Sequence, residues 1–163
     1  QLIGGKEGRG FMTVMKTFDH SRPGVAAQAI GVAQGAYELA VAYAHERKQF
    51  NQSISSFQGI QWMLADMAMK TEAARALLYS VARMVDRGES GVSPYSAMAK
   101  CYCSDVAMEV TTNAVQIFGG YGYIKEYPIE KFMRDAKIYQ IYEGTNQIQR
   151  TIVALQLIKE FSK

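Results

Sequence analysis

This sequence is poor in the residues that build metal sites and disulfide frameworks, since its 163 residues include only two cysteines and two histidines. Cys101 and Cys103 lie two apart in a helical pattern, where their side chains project to different sides. A disulfide between them would be strained, and a metal site would lack further ligands. His20 and His45 are too few and too separated to suggest a metal site either. We therefore expect no metal and two reduced, buried thiols.

Other missing features exclude further classes of protein. No apolar run approaches the roughly 20 residues that a membrane helix needs, and no segment is typical of a signal peptide. Acidic and basic residues are interspersed and the net charge is +3, so the sequence lacks a nucleic-acid-binding footprint. The chain begins with Gln1 rather than Met, and we expect it to be a piece of a longer protein.

The dominant pattern in the sequence is helical periodicity, with apolar residues at steps of three and four and no long alternation with period two. Residues 1–10 are Gly-rich and indicate a loop, and a short helical stretch could follow at 11–18. The main predicted helices are Pro23 to about Lys48, Phe57 to Arg87, Pro94 to about Ile117, Ile129 to Arg134, and Asn146 to Phe161. Short connections favour antiparallel neighbours, so we predict an all-α, up-and-down helical bundle of about four main helices.

Glu143 and Gly144 interrupt this periodicity between two helical stretches. A glycine there would let a ligand approach the backbone, and amides at the following helix N-terminus could donate to an oxygen. A carboxylate beside them in an apolar cleft could act as a general base. The structural alternative is that Glu143 is a first-turn glutamate that favours the helix dipole. From the residues alone, we prefer this alternative.

Three further interruptions have a structural interpretation, and for the first two a ligand-binding interpretation is also open. Residues 116–122 (QIFGGYG) are either a helix end capped by glycine or a backbone that lies against a flat or phosphate-bearing ligand. Arg47 and Lys48 either complement the end of a helix or bind an anion. Residues 18–23 (FDHSRP) could be no more than a helix N-cap.

Taken in order, these segments resemble acyl-CoA dehydrogenases of the short- and medium-chain type, over their C-terminal helical domain. The matching pieces are EGRGF (7–11), FDHSRPGVAAQAIGVAQGA (18–36), AYAHERKQFNQSISSFQGIQ (42–61), LADMAMK (64–70) and AVQIFGGYGYIKEYPIEKFMRDAKIYQIYEGTNQIQR (114–150). The resemblance implies that residues 1–17 are a hinge from a middle β-domain absent from this sequence. Residues 18–163 would then form the C-terminal helical bundle.

The resemblance further implies FAD-dependent α,β-dehydrogenation of an acyl-CoA thioester to a trans-2-enoyl-CoA. Glu143 matches the family's catalytic base, which removes the α-proton while the β-hydrogen leaves as hydride to flavin N5. The thioester oxygen is expected to accept hydrogen bonds from the Glu143 backbone N–H and from a ribityl hydroxyl of FAD. Ser21 stands where some relatives, such as isovaleryl-CoA dehydrogenases, carry their base, so Glu143 is the one candidate in this chain.

The same resemblance assigns the binding residues and the partners. Cofactor contacts are expected from Arg47, Phe50, Gln58, Gln116, Ile117, Phe118, Gly119, Gly120, Thr145, Asn146 and Gln147. Substrate contacts are expected from Asp19, His20, Ser21, Arg22, Tyr142 and Gly144. Arg47, Phe50 and Gln58 would reach the FAD of a neighbouring subunit, so we expect a homo-oligomer, a dimer or a tetramer.

The expected electron acceptor is an electron-transfer flavoprotein, with no nucleic-acid partner and no membrane insertion. The expected location is the cytoplasm in a bacterium or the mitochondrial matrix in a eukaryote. Two alternatives remain open: an acyl-CoA oxidase or reductase relative, and a non-catalytic assembly module as an isolated fragment. Without the β-domain, we expect the chain alone to be unable to hold FAD or to turn over.

Overall fold

In the computed structural model, which describes residues 2–162, α-helices account for most of the chain. The helices are α1 (Gly10–Glu46), α2 (Gln58–Asp86), α3 (Val92–Phe118), α4 (Ile129–Tyr139) and α5 (Asn146–Phe161). Short 3-10 turns span Ile54–Ser56 and Gly119–Tyr123. The predicted all-α bundle is confirmed. None of the described helices has the length and apolar character needed to cross a membrane.

The core is formed mainly by small side chains on α1 and α3. α3 is the central helix and contacts α1, α2, α4 and α5. The buried face of α1 presents Ala26, Ala29, Ala33, Ala36, Ala40 and Ala44, which follow the helical repeat. Because alanine has only a methyl group, the backbones of α1 and α3 can approach closely along their length. Cys101 and Cys103 of α3 are free and buried, which confirms the prediction for the thiols.

The first helix begins earlier than predicted. α1 starts at Gly10 and runs through Pro23, so the expected helix start near Pro23 and the separate stretch at 11–18 are both wrong. Pro23 has no N–H to donate to the Asp19 carbonyl, four residues before it. The buried Ser96 hydroxyl on α3 donates to that oxygen instead, at 2.6 Å. A tertiary contact therefore replaces the hydrogen bond that the proline removes.

Two other boundaries differ from the sequence-based expectation. α4 continues to Tyr139, beyond the predicted end at Arg134. The predicted division between a hinge (1–17) and the helical bundle (18–163) falls inside α1, and it stays a prediction. Gln1 and Lys163 lie outside the described residues, so their assignments to these two parts also stay predictions.

The polar segment after α1 forms a small hairpin. Strands β1 (Lys48–Gln49) and β2 (Gln52–Ser53) pair antiparallel, and Phe50 and Asn51 between them have φ of +52° and +61°. Two residues with positive φ are typical of a type I′ turn. The Ser53 hydroxyl lies 2.8 Å from the carbonyls of Ala44 and His45, which belong to the last turn of α1. The hairpin thus caps α1 and fixes the position of Arg47.

Candidate active site

Glu143 lies in the loop of residues 140–145, which joins α4 to α5. Its φ is +52° and that of Gly144 is +92°, so two successive residues have left-handed backbone. For a residue other than glycine this conformation costs about 1–3 kcal/mol and persists only where the surroundings enforce it. The N-cap of α5 is Thr145, whose hydroxyl accepts from Ile148 N. Glu143 therefore precedes the helix, and the alternative of a first-turn glutamate is wrong.

The carboxylate of Glu143 is held by α1. The Ser21 hydroxyl donates to Glu143 Oε2 at 2.6 Å, and both side chains are half-buried. Arg22 Nε lies 3.5 Å from the Glu143 carbonyl oxygen. The Tyr142 hydroxyl donates to Gln28 Oε1 at 3.1 Å. The fold thus brings Ser21 and Arg22, two of the predicted substrate residues, to the predicted base, more than 100 residues away in sequence.

Arg22 is the buried cation at the contact between α1 and the loop that carries Glu143. Its side chain is 3% exposed, and Nη1 donates to Asp19 Oδ1 at 3.1 Å. Burial lowers the pKa of Arg22, and the negative charges of Asp19 and Glu143 oppose that shift. Asp19 Oδ1 also accepts from the Ser93 hydroxyl at 2.8 Å. His20 is exposed, with Nδ1 2.9 Å from the Lys16 carbonyl, and does not join this group.

The loop has free amides on one side and bonded carbonyls on the other. The backbone N–H groups of Glu143, Gly144 and Thr145 donate to no acceptor within residues 2–162. The Glu143 and Gly144 carbonyls accept from Gln149 Nε2 at 3.2 and 3.0 Å. In a trans peptide the N–H points opposite to the C=O, so the Gly144 and Thr145 amides point away from these interior donors. Free amides beside a carboxylate are suited to stabilise charge that develops on an oxygen.

Beneath the loop lies a lysine that sequence reasoning missed. Lys100 of α3 is fully buried, and its Nζ donates to the Gly144 carbonyl at 2.8 Å and to Asn146 Oδ1 at 2.9 Å. Burial lowers the pKa of Lys100 to about 8. A signal was present, because this lysine interrupts the apolar face of the third helix at a core position.

The Asn146 side chain is buried and hydrogen-bonded inside the protein. Its Nδ2 donates to Ser104 Oγ at 2.8 Å and to Asp105 Oδ1 at 2.7 Å. Its two neighbours, Thr145 and Gln147, are exposed and line a polar hollow of about 540 Å³ next to Lys137 and Arg150. The cofactor contacts of these three residues stay predictions.

A second candidate binding feature, which we call the Arg47 groove, lies at the other end of α1. This groove of about 500 Å³ is lined by Tyr43, Arg47, Gln49, Ile54, Ile117, Phe118, Gly119, Gly120, Tyr121 and Ile124. The Arg47 guanidinium lies over the Tyr121 ring, 5.3 Å from its centroid, and pairs with no carboxylate of the described chain. Gly119 has φ +62°, and added methyl groups at Gly119 or Gly120 would enter open space. An unpaired cation beside an open glycine backbone fits a phosphate-bearing ligand.

The remaining predicted cofactor residues lie near this groove in sequence but do not line it. Phe50 is at the hairpin tip and 88% exposed, while Gln58 begins α2 and is exposed. Gln116 is exposed on the last turn of α3. Their side chains are thus available to a ligand or subunit outside this chain, and their roles stay predictions.

Fold and site together define a class: an all-α bundle domain that presents a loop carboxylate beside free amides and a separate, cationic groove. The family model described as acyl-CoA dehydrogenase, C-terminal domain, matches residues 8–158. The chain therefore belongs to the acyl-CoA dehydrogenase family, whose members are in general flavin-dependent oxidoreductases.

Named relatives are similar over nearly the whole chain. The probable acyl-CoA dehydrogenase FadE25 of Mycobacterium tuberculosis is 59% identical over 155 residues, which are 95% of this chain and 40% of that protein. The short-chain-specific acyl-CoA dehydrogenase of Clostridium acetobutylicum is 51% identical over 158 residues, 95% of this chain and 41% of the relative. The solved structure of butyryl-CoA dehydrogenase from Megasphaera elsdenii superposes with a TM-score of 0.91 at 51% identity, covering 94% of this chain and 40% of that one. The chain thus spans about 40% of the length of its relatives.

Proposed function

We propose that this chain is the C-terminal catalytic domain of an FAD-dependent acyl-CoA dehydrogenase, in which Glu143 removes the α-proton of an acyl-CoA thioester. The observation that carries the proposal is the Glu143 loop. It combines a carboxylate held at 2.6 Å by Ser21, left-handed backbone and three free amides. Family membership supports an acyl-CoA substrate, because the chain matches the acyl-CoA dehydrogenase family model over residues 8–158, which include this loop.

The residues divide the chemistry between binding and proton transfer. Ser21 holds one carboxylate oxygen, which leaves Glu143 Oε1 free to accept the α-proton. As the proton leaves, negative charge develops on the thioester oxygen, and the Glu143 N–H donates to it. One such donor contributes about 3–4 kcal/mol to the transition state in acyl-transfer enzymes. The buried cations Arg22 and Lys100 lie on the interior side of the loop and favour the same negative charge.

The residues present fit FAD as the cofactor. When bound, FAD supplies the acceptor for the β-hydride of the substrate. Arg47 provides an unpaired guanidinium for a phosphate group, and Gly119 and Gly120 leave room beside it. Phe50, Gln58 and Gln116 are exposed around the same end of the bundle.

The distance between the Glu143 loop and the Arg47 groove supports a site shared between subunits. From Ser21 to Glu46, α1 rises by about 37 Å, at 1.5 Å a residue. That span exceeds the length of one extended FAD molecule. We therefore infer that the Glu143 loop and the Arg47 groove serve different FAD molecules in a homo-oligomer. The relatives are longer than this chain, and we propose that residues 1–17 lead out of a β-domain in a longer polypeptide.

The names of relatives support an electron-transfer flavoprotein as the acceptor. A protein of Acetobacterium woodii named as subunit CarC of a caffeyl-CoA reductase–Etf complex is 49% identical. A structure reported for the electron transferring flavoprotein of Acidaminococcus fermentans aligns at 58% identity with a TM-score of 0.91. The NADH-dependent acryloyl-CoA reductase of Anaerotignum propionicum, at 52% identity, favours one alternative, a reductase that uses the same site in the opposite direction.

The test of the proposal is Glu143→Gln in the complete polypeptide that contains this chain. We expect flavin reduction by acyl-CoA to slow by at least about 10²–10⁴-fold, since that is what a general base contributes. Flavin content and acyl-CoA binding should be retained. The matched control is Glu126→Gln, an exposed glutamate in the loop before α4.

Flavin reduction by the Glu143→Gln protein at the wild-type rate would contradict the assignment of the base. A panel of C4 to C16 and branched acyl-CoAs gives the substrate class. Reoxidation of the reduced enzyme by O₂ would indicate an oxidase, and reoxidation by electron-transfer flavoprotein a dehydrogenase. Reaction in the opposite direction with a reduced electron donor would indicate a reductase. A chain of residues 1–163 that by itself forms a well-folded oligomer without a ligand would favour the assembly module for the isolated fragment.

A further inference from the structure

Lys100 makes an unusual pair of contacts for a lysine in a helical core. It lies on α3, is fully buried, and donates to the Gly144 carbonyl and to the Asn146 side chain. These two acceptors flank Thr145 at the end of the Glu143 loop. Burial of the ammonium is unfavourable, and the lowered pKa of Lys100 reflects that cost. A buried charge of this kind calls for a reason to retain it.

Satisfying the Gly144 carbonyl is not a sufficient reason to retain Lys100, because that oxygen has a second donor. The Gly144 carbonyl also accepts from Gln149 Nε2 at 3.0 Å. Asn146 Oδ1 lies 3.2 Å from Ser104 Oγ, but the single Ser104 proton has a nearer acceptor in the Lys100 carbonyl at 2.7 Å, so Lys100 is the main donor to Asn146 Oδ1. Removing the ammonium would leave the Gly144 carbonyl bonded to Gln149, while Asn146 Oδ1 would keep a donor only if the Ser104 hydroxyl turned away from the Lys100 carbonyl.

The direction of the contacts suggests a different role. Lys100 and Gln149 both draw the Gly144 carbonyl inward, which turns the following Thr145 N–H to the opposite side. On the other side of Asn146, Asp105 accepts from Asn146 Nδ2 and from Gln140 Nε2, at the two ends of the loop. Arg22 from α1, Asp105 and Cys101 from α3, and Glu143 itself are the charged or titratable groups around the ammonium.

We infer that Lys100 is a positioning residue for the base: its ammonium fixes the Gly144–Asn146 segment so that Glu143 and the free amides keep their orientation. This inference rests on the proposed function for its catalytic consequence. Its structural part, that Lys100 holds the loop, stands on the two hydrogen bonds alone.

The experiment uses Lys100→Met and Lys100→Gln in the complete, FAD-loaded polypeptide. Methionine keeps the unbranched shape without the charge, and glutamine keeps a single N–H donor group. The control is Lys131→Met on the surface of α4, which removes a lysine paired only with Asp135. Four quantities are measured: kcat, KM for acyl-CoA, the thermal midpoint, and hydrogen exchange of a peptide covering residues 140–147.

We expect kcat to fall by about tenfold to a hundredfold, the loss that misplacement of a catalytic group by an ångström produces. KM and flavin content should change little, exchange at 140–147 should become faster, and the thermal midpoint should stay near that of the control. A purely structural lysine would instead lower the midpoint and leave kcat unchanged in the folded protein.

Three outcomes would overturn the inference. They are a wild-type kcat, a lower kcat with unchanged exchange at 140–147, and failure of both variants to fold, since Gln149 still holds the Gly144 carbonyl and the Ser104 hydroxyl can turn to Asn146 Oδ1. The result is also separable from the proposed function. If Glu143→Gln retains activity, the catalytic assignment fails, while faster exchange in Lys100→Met would still support the structural part.

Discussion

Gly144→Ala tests whether the Glu143 loop has the strained geometry on which its chemistry depends. Gly144 has φ +92°, a conformation that L side chains rarely adopt. A methyl group there would lie 2.6 Å from Gln149 Nε2. That nitrogen donates to the carbonyls of Glu143 and Gly144, and Gln149 is fully buried, so moving its amide aside would break these hydrogen bonds. The substitution therefore perturbs both the backbone and the side chain that holds it.

The expected loss of stability is the sum of these two effects. A left-handed residue with a side chain costs roughly 1–2 kcal/mol, and each hydrogen bond lost from Gln149 costs about 0.5–1.5 kcal/mol. If both Gln149 bonds are lost, we expect the free energy of unfolding to fall by about 2–5 kcal/mol. Urea unfolding followed by circular dichroism measures this change. In the complete enzyme, we expect kcat to fall by about a hundredfold because the carboxylate moves with the loop.

The control is the same substitution at Gly59 in the first turn of α2, where a methyl group would meet open space. Gly59→Ala should be stabilising by about 0.4–1 kcal/mol, because the unfolded chain loses freedom. If Gly144→Ala unfolds at the same urea concentration as the wild type, the proposed strain and the role of Gln149 are refuted.

Three further predictions concern single features of the structure. Ser96→Ala removes the donor to the Asp19 carbonyl, the oxygen that Pro23 cannot bond. It should lower the free energy of unfolding in urea by about 1–3 kcal/mol. An unchanged midpoint would mean that water replaces the hydroxyl. Arg47→Gln should lower the flavin content of the purified complete protein, measured by absorbance, with wild-type content counting against the Arg47 groove. The pKa of Lys100 is lowered to about 8 in the folded chain, so between about pH 8 and 10 the unfolded state binds more protons, and this group makes stability rise with pH. The wild type should therefore gain stability relative to Lys100→Met as the pH rises from about 8 to 10. A difference in unfolding free energy that stays constant over that range would contradict the lowered pKa of Lys100.

Much of the fold could be predicted from local sequence patterns. The predicted range of α5 agrees with the structure, and that of α2 agrees to within a residue at each end, because both have apolar steps of three and four and clear breaks. The start of α1 could not be predicted in this way. Pro23 is a local signal for a helix start, and the Ser96 hydroxyl that compensates for it comes from another helix.

For the site, the sequence alone determined which residues are candidates, since the order of the family's segments gave Glu143, Ser21 and Arg47. Only the tertiary structure decided how they are held. It placed Ser21 on the Glu143 carboxylate, turned Asn146 into the interior and put Lys100 beneath the loop. These contacts join residues more than 40 positions apart. Periodicity within one helix does not predict these contacts, because they depend on how separate helices and loops pack against one another.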